Sequence, residues 1–412
     1  MKNIIKKNIL NIKPSSTLAI NEKVKRLISQ GKEICNFGFG QSPFPVPEKI
    51  VNQLKENANR KEYLPIQGLL ELRSVISNYL KERTGVKYPK ENIIITPGSK
   101  EAMLLMHVAF NGEIILPAPS WVSYEPQAQI GLNKVHWLQT SRENNWFPTA
   151  KELEKKIKSI NKNKNLIFIL NSPNNPSGTV CKNLKELAEV AKKYKVIVLS
   201  DEIYTDLTFC NKYESISKFY PEATFVSGGL SKWCGAGGWR LGFFAVPEKL
   251  NGFLESLKSL ASESYSTVNT PVQHAAVEAY SGDYRTYKRN VVKILSSVGN
   301  YVFHNLKSNK VLISPPQGAF YLMPEFLNNK YKNSSALCEA ILNETGVAML
   351  PASDFGFKKN KMMTRLSYTD FDGSTFLKNI SNDINISDKM IEQYAPNVVN
   401  GVKKLSIWAK KL

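Results

Sequence analysis

The run GLSKWCGAGGWRLG, Gly229 to Gly242, carries three groups that an anionic ligand would use: the Ser231 hydroxyl, the Lys232 amine and the Arg240 guanidinium. A lysine in a glycine-rich loop ordinarily keeps its ammonium in water. This one follows TFVSG (224–228), which reads as a buried strand, and the arginine lies eight residues beyond it. Asp201 comes directly after VIVLS (196–200) and opens DEIY; an aspartate at a strand end is ordinarily a cap or turn residue. Gly98, Ser99 and Lys100 precede a helix-compatible run, so their N–H groups and the helix start can receive an anion. Asn175 in NNPSG is turn chemistry when taken alone. Trp121 is by type a packing residue whose face can also shield a planar ring. Arg365, in TRLSYT, offers a planar fork that clasps both oxygens of a carboxylate, where a lysine would present only a point charge.

These groups need elements to hold them. NIIIT (92–96), EIILP (113–117), KVHWL (134–138), LIFIL (166–170), VIVLS and TFVSG read as strands, with a further short one in LGFFAVP (241–247). Helix-compatible segments at 47–60, 69–79, 101–110, 151–159 and 184–194 fall among them, and YLPIQG (63–68) is a loop. Such alternation predicts a mostly parallel sheet covered by helices on both faces, with binding groups on loops beyond the strand ends. The chain then turns helical and changes character near residue 300, where VLISPPQGAFYLMP (311–324), VAML (347–350) and MTRLSYT (363–369) predict a smaller α+β domain, and KKNKMM reads as an exposed turn entering a strand.

With 412 residues and 42% hydrophobic content the chain is long enough for two domains with substantial cores. Lys and Arg exceed Asp and Glu by 20. Lysines such as Lys162, Lys164, Lys192, Lys193 and Lys195 are dispersed, and no zinc-finger or RNA-binding aromatic motif accompanies them. The excess therefore reads as a solvated face, with no nucleic-acid partner. Basic residues interrupt the apolar ones at the amino terminus, and the longest apolar runs are of strand length, so neither a signal peptide nor a membrane partner is expected and a cytoplasmic location is. Cys35, Cys181, Cys210, Cys234 and Cys338 lack paired metal-ligand spacing and read as reduced, packed cysteines. The tail YAPNVVNGVKKLSIWAKKL reads as a final helix with Trp408 packed and its lysines in water.

GQSPFPVP, YLPIQG, TPGSKEA, PSWVSY, NSPNNPSG, DEIY, SKWCGAGGWRLG and TRLSYT occur in this order. On these motifs the chain resembles the class I/II aminotransferases of pyridoxal-phosphate fold type I, over roughly residues 11 to 390. LNIKPSSTLAI further resembles the bacterial aspartate, aromatic and prephenate aminotransferase branch. The resemblance implies an α/β fold with a large cofactor-binding domain at residues 50–295. A smaller substrate-closing domain would comprise 1–49 and 296–412, including the amino-terminal arm and the tail.

It also implies pyridoxal 5'-phosphate as cofactor, linked to Lys232 as a Schiff base. Asp201 would oppose the pyridine nitrogen, Tyr204 and Asn175 would bond the ring's phenolate oxygen, and Trp121 would stack on the ring. The phosphate would be held by the backbone at Gly98, Ser99 and Lys100, by Ser231 and Arg240, and by Tyr63 of the opposing subunit in a homodimer. Arg365 and the Gly40 backbone would take the substrate α-carboxylate. Two positions depart from the pattern: Gly229 stands where some relatives have a phosphate-contacting serine, and residues 9–13, ILNIK, lack an arginine often found there. The second departure leaves a distal carboxylate short of a partner, for which Lys100 could compensate.

The implied reaction is transamination between an L-amino acid, acidic or aromatic, and a 2-oxo acid, with Lys232 as carrier and general acid/base. The same scaffold supports carbon–sulfur lyases, decarboxylases and oxidases. A non-catalytic regulator that retained the pocket is a further alternative.

Overall fold

A computed structural model of the protein describes residues 4–209, 213–327, 330–380 and 385–412. Its centre is a seven-stranded sheet. We number its strands β1 (Ile93–Thr96), β2 (Glu113–Ala118), β3 (Val135–Gln139), β4 (Leu166–Asn171), β5 (Ile197–Asp201), β6 (Thr224–Gly229) and β7 (Gly242–Ala245). Across the sheet they run β1-β7-β6-β5-β4-β2-β3. Only β7 opposes its neighbours; every other pairing is parallel. β4 and β6 are buried along their whole length, as expected for strands sandwiched between helical layers and written as unbroken apolar runs.

Two features of register matter for function. Asn171, Asp201 and Ser227 are direct neighbours at the carboxyl ends of β4, β5 and β6. On the other side, antiparallel β7 pairs Gly242 with both Gly229 and Thr96. The loop from β6 to β7, which carries Lys232, is therefore drawn back so that Arg240 ends beside the turn after β1.

Helices cover both faces. Ala150–Lys158 is closed by a capping box in which the Thr149 side chain accepts from the Glu152 N–H while Glu152 reaches back to the Thr149 N–H. The helix expected at 69–79 extends over Leu70–Thr84, because Leu80 and Thr84 continue its buried face. Ser16–Ser29 is a helix outside the segments read from the sequence, although Ile20, Val24 and Leu27 fall one turn apart and pack together on its inner face. The lysines assigned to a solvated face, 162, 164, 192, 193 and 195, are exposed.

The carboxyl-terminal part contains small sheets. Tyr321–Leu322, Thr364–Ser367 and Leu350–Pro351 form one, Val311–Leu312 pairs with Glu325–Phe326, and Val347–Ala348 pairs with Cys35–Asn36. The run expected as one segment at 311–324 is split into short strands because Pro315, Pro316 and Pro324 cannot supply ladder N–H groups. Residue 295 falls inside the continuous helix Arg285–Leu306. The tail forms the helix Pro396–Ala409, with Val398, Val402, Leu405 and Trp408 buried and the Trp408 indole donating to Glu344 at 2.8 Å. Cys35, Cys181, Cys234 and Cys338 are free and buried, while Cys210 lies outside the described residues. Among the described residues no helix is long and apolar enough to cross a membrane.

Candidate active site

The carboxyl ends of β4, β5 and β6 open into a cavity of about 540 Å³, within the range that small-ligand sites occupy. Gly40, Ser99, Lys100, Trp121, Asn175, Asp201, Tyr204, Ser231, Lys232, Arg240 and Arg365 all line it. Residues that are more than a hundred positions apart in sequence thus share one wall.

At the cavity floor, Asp201 is buried and accepts hydrogen bonds from Tyr124 Oη at 2.7 Å, Ser227 Oγ at 3.1 Å and the Ile203 N–H at 3.3 Å. Burial pushes its carboxyl above the usual range, while these donors and the nearby Lys232 pull it back. Tyr204 Oη lies 2.9 Å from Tyr321 Oη and 3.5 Å from the Asn175 amide nitrogen. Burial holds the Tyr204 phenol well above its ordinary value, so it stays a neutral donor.

Lys232 Nζ donates to the Gly40 carbonyl at 3.0 Å and sits 5.4 Å from the Tyr204 ring centroid. The surrounding wall strips water from the ammonium, and Arg365 repels it. Together they lower its pKa to about 8, against a smaller opposing pull from Asp201. A neutral amine is the form that attacks a carbonyl carbon. Reaction of Lys232 with an aldehyde reagent is therefore expected to accelerate as pH rises through about 8. Mass-spectrometric labelling across pH checks this; a rate still climbing unchanged toward pH 10.5, the ordinary lysine value, would count against it.

The anion end of the cavity is made by two segments, the turn and helix start after β1 and the β6–β7 loop. Ser99 begins the helix Ser99–Ala109, with Gly98 before it at φ +85°, a conformation open to glycine. Arg240 packs against Gly98 and donates to the Pro97 carbonyl at 3.0 Å and the Gly237 carbonyl at 2.9 Å. A helix start, a guanidinium and the Ser231 hydroxyl converge here, a donor set suited to a phosphate dianion. At Gly229 a Cβ would stand 2.8 Å from the Leu241 carbonyl oxygen, so the β6–β7 pairing leaves no room for a side chain there without a shift of the backbone.

Arg365 is buried on the small three-stranded sheet, paired in register with Leu350. Its Nη1 donates to Asn175 Oδ1 at 3.3 Å and its Nη2 to the Gly38 carbonyl, while Nε has no acceptor. Tyr63 stands apart: it is 88% exposed and does not line the cavity.

Several lining residues escaped the sequence reading. Tyr321 lies in GAFYLMP, where nothing signalled that its ring would face Arg365 at 4.8 Å. Ser15, Thr17 and Leu18 come from the first helix and the residue before it. Tyr124, which bonds Asp201 without lining the cavity, had a usable signal in its spacing of three from Trp121 in PSWVSY, and the two rings pack edge to face at 5.4 Å.

The sequence pattern of the family described as aminotransferase class I and II matches residues 32–374. Aspartate aminotransferase of Thermotoga maritima is 30% identical over 362 residues, 85% of this chain and 92% of its own length. That of Geobacillus stearothermophilus is 31% identical over 381 residues, 88% and 93% of the two chains. The solved structure of aspartate aminotransferase from Thermus thermophilus with maleate has the same fold, with a TM-score of 0.85 at 24% identity over 99% of both chains. The solved Thermotoga maritima enzyme gives 0.82 at 26%, over 98% of this chain and 100% of the other. A family pattern spanning most of the chain, relatives covered nearly end to end and a matching sheet lead to one conclusion: this protein belongs to the class I and II aminotransferases of pyridoxal-phosphate fold type I, and its reaction is the transamination of an L-amino acid with a 2-oxo acid.

Proposed function

We propose that the substrate is an amino-dicarboxylate of the aspartate or glutamate type. The observation that carries this reading is a pair of cations facing one cavity, Arg365 and Lys100. Lys100 makes no ion pair among the described residues; its ammonium lies 5.4 Å from the Trp121 ring centroid, and burial followed by Arg240 lowers its pKa. Ser15 and Thr17 line the same cavity, and Thr17 Oγ1 is buried with no hydrogen-bond partner. Buried polar groups without partners are costly, and a carboxylate would satisfy them. Lys100 thus compensates for the arginine absent from residues 9–13.

The residues of this site fit pyridoxal phosphate. The backbone at Ser99 and Lys100, with the Ser231 hydroxyl and Arg240, would hold its phosphate, Asp201 its ring nitrogen, Asn175 and Tyr204 its ring oxygen, Trp121 its face and Lys232 its aldehyde carbon. When bound, the cofactor supplies an electron-accepting ring for the charge released at the substrate Cα. The chain does the rest. Arg365 and the Gly40 backbone anchor the α-carboxylate, which fixes the Cα proton within reach of Lys232. The Lys232 amine, lowered to about 8, takes that proton and returns it, a role suited to a group poised near working pH. Asp201, held by three donors, would set its carboxylate against the ring nitrogen and favour that nitrogen's protonated form.

The test is to mix the cofactor-loaded protein with single amino acids and follow its visible spectrum. Aspartate and glutamate are expected to convert it, and their 2-oxo acids to restore it. Conversion by neutral amino acids alone would refute the dicarboxylate assignment. A second reading, an aromatic substrate, is favoured by the apolar flank of Leu18 and Phe39, and phenylalanine belongs in the same panel.

Arg365→Lys keeps the charge and loses the fork. Charge-assisted hydrogen bonds are worth about 1.5–3 kcal/mol, so kcat/KM is expected to fall roughly ten- to hundred-fold, mainly through KM. Steady-state kinetics with aspartate check this.

The exposure of Tyr63 fits a homodimer in which it serves the partner's phosphate site. Mixed dimers of Tyr63→Asp and Lys232→Ala chains are then expected to regain activity that neither variant has alone, because one of their two sites is intact. Absence of any recovery in a confirmed mixed dimer would refute the shared site. A cytoplasmic location and the division of the chain at about residue 295 belong to the same reading.

A further inference from the structure

A second, much smaller cavity of about 10 Å³ lies near the Lys232 loop. Tyr79 and Arg83 reach it from the helix Leu70–Thr84, Glu202 from the turn after β5, Trp233 from the residue after Lys232, and Tyr280 from the helix Thr270–Ser281. Ile203 lines this cavity and the large one.

Four polar atoms on its lining residues are buried and have no hydrogen-bond partner: Arg83 Nε, Glu202 Oε2, Trp233 Nε1 and Tyr280 Oη. Other atoms of Arg83 and Glu202 are already bonded. Arg83 Nη1 donates to Asp206 Oδ1 and Tyr79 Oη, both at 2.6 Å. Glu202 Oε1 accepts from Ser200 Oγ at 2.9 Å and Ser215 Oγ at 2.5 Å, and the Tyr213 hydroxyl also donates to this carboxylate. The Trp233 indole is covered by Lys288 Nζ, 4.1 Å from the ring centroid.

The chemistry of the four atoms selects the occupant. Arg83 Nε–H and Trp233 Nε1–H only donate, Glu202 Oε2 accepts, and the Tyr280 hydroxyl can do either. The two N–H donors disfavour a cation, and the carboxylate oxygen disfavours an anion. A molecule that accepts twice and donates twice satisfies all four. The volume is that of one water-sized probe, and buried waters typically make two to four such bonds.

We propose that this cavity is a binding site for a single ordered water that ties Glu202, the neighbour of Asp201, to Trp233, the neighbour of Lys232. The water accepts from Arg83 and Trp233 and donates to Glu202 and Tyr280. It braces from behind the two segments that carry the carboxylate and the amine of the active site, so Trp233 and Tyr280 are positioning residues. The catalytic consequence rests on the roles proposed above for Asp201 and Lys232; the water site does not.

A crystal structure of the cofactor-loaded protein, at a resolution that shows ordered solvent, tests the site directly. One water within hydrogen-bond distance of the four atoms is expected. An empty cavity, a bound ion, or re-pairing of the four groups with one another overturns the proposal. Tyr280→Phe removes one partner and keeps the ring, and Trp233→Phe removes another while shortening a buried indole to a phenyl, so the first serves if the second fails to fold. Each is expected to shift the pH at which the visible spectrum of the bound cofactor titrates and to lower kcat by roughly ten-fold, with KM little changed. Unaltered titration in both variants would overturn the positioning role even if the water is present. Failure of the functional reading would look different, as a spectrum that no amino acid converts in the unsubstituted protein.

Discussion

Lys232→Ala is expected to reduce turnover by more than any other single substitution. Loss of general acid–base transfer alone is worth about 10²–10⁴-fold, and the same substitution removes the amine that would hold the aldehyde carbon. The two losses fall on one side chain, so they compound. The rest of the site, Asp201, Tyr204 and Arg240, is untouched, and the cofactor should still enter but wash out on dialysis. Visible spectra before and after dialysis, together with the rate with aspartate, check this. Retention of both the covalently held cofactor and the rate would remove Lys232 from the mechanism.

Asp201→Asn keeps the shape and removes the charge. Removing one preorganised electrostatic group from a water-excluded active site costs about 10²–10³-fold in kcat, and a fall of that order is expected. The substitution has two further signatures whose signs follow from the site. Asp201 raises the Lys232 pKa and Arg365 lowers it. Its loss should therefore move the free amine below about 8, whereas Arg365→Leu should move it up. Burial also raises the Asp201 carboxyl above its ordinary value. A raised folded-state pKa means that its charge opposes folding once pH exceeds the unfolded value of 3.8. At neutral pH the cofactor-free variant should accordingly melt no lower than the parent protein, even as its activity collapses. Thermal melts with and without cofactor separate the two effects; a variant that melts much lower without cofactor would assign Asp201 to structure rather than function. Function and stability pull apart here because a site built to hold a charge out of water works against its own folding.

Much of this was legible in the chain. Apolar runs such as LIFIL and TFVSG are strands because a strand covered on both faces has no polar side to show. Asp201, Ser231 and Lys232 could be singled out because each lies just past such a run, where loops leave a sheet, and Arg240 because it lies eight residues beyond Lys232. The short strands after residue 310 were less legible, since Pro315 and Pro316 break the ladder inside what reads as a continuous segment. The helix Ser16–Ser29 was missed although its signal was present: Ile20, Val24 and Leu27 recur at i, i+4 and i+7, and they pack together in the fold. With it went Ser15, Thr17 and Leu18, a whole side of the cavity.

The sequence by itself determined which residues can carry the chemistry and which strands deliver them, because side-chain type and hydrophobic period are local properties. Only the tertiary structure decided who meets whom. The register that sets Asn171, Asp201 and Ser227 abreast, the reversal of β7 that returns Arg240 to Gly98, and the approach of Tyr321 to Tyr204 from a separate small sheet are long-range pairings. So is the lowering of the Lys232 amine to about 8. It arises from burial and from the charges of Arg365 and Asp201, which come close only when the chain closes around the cavity.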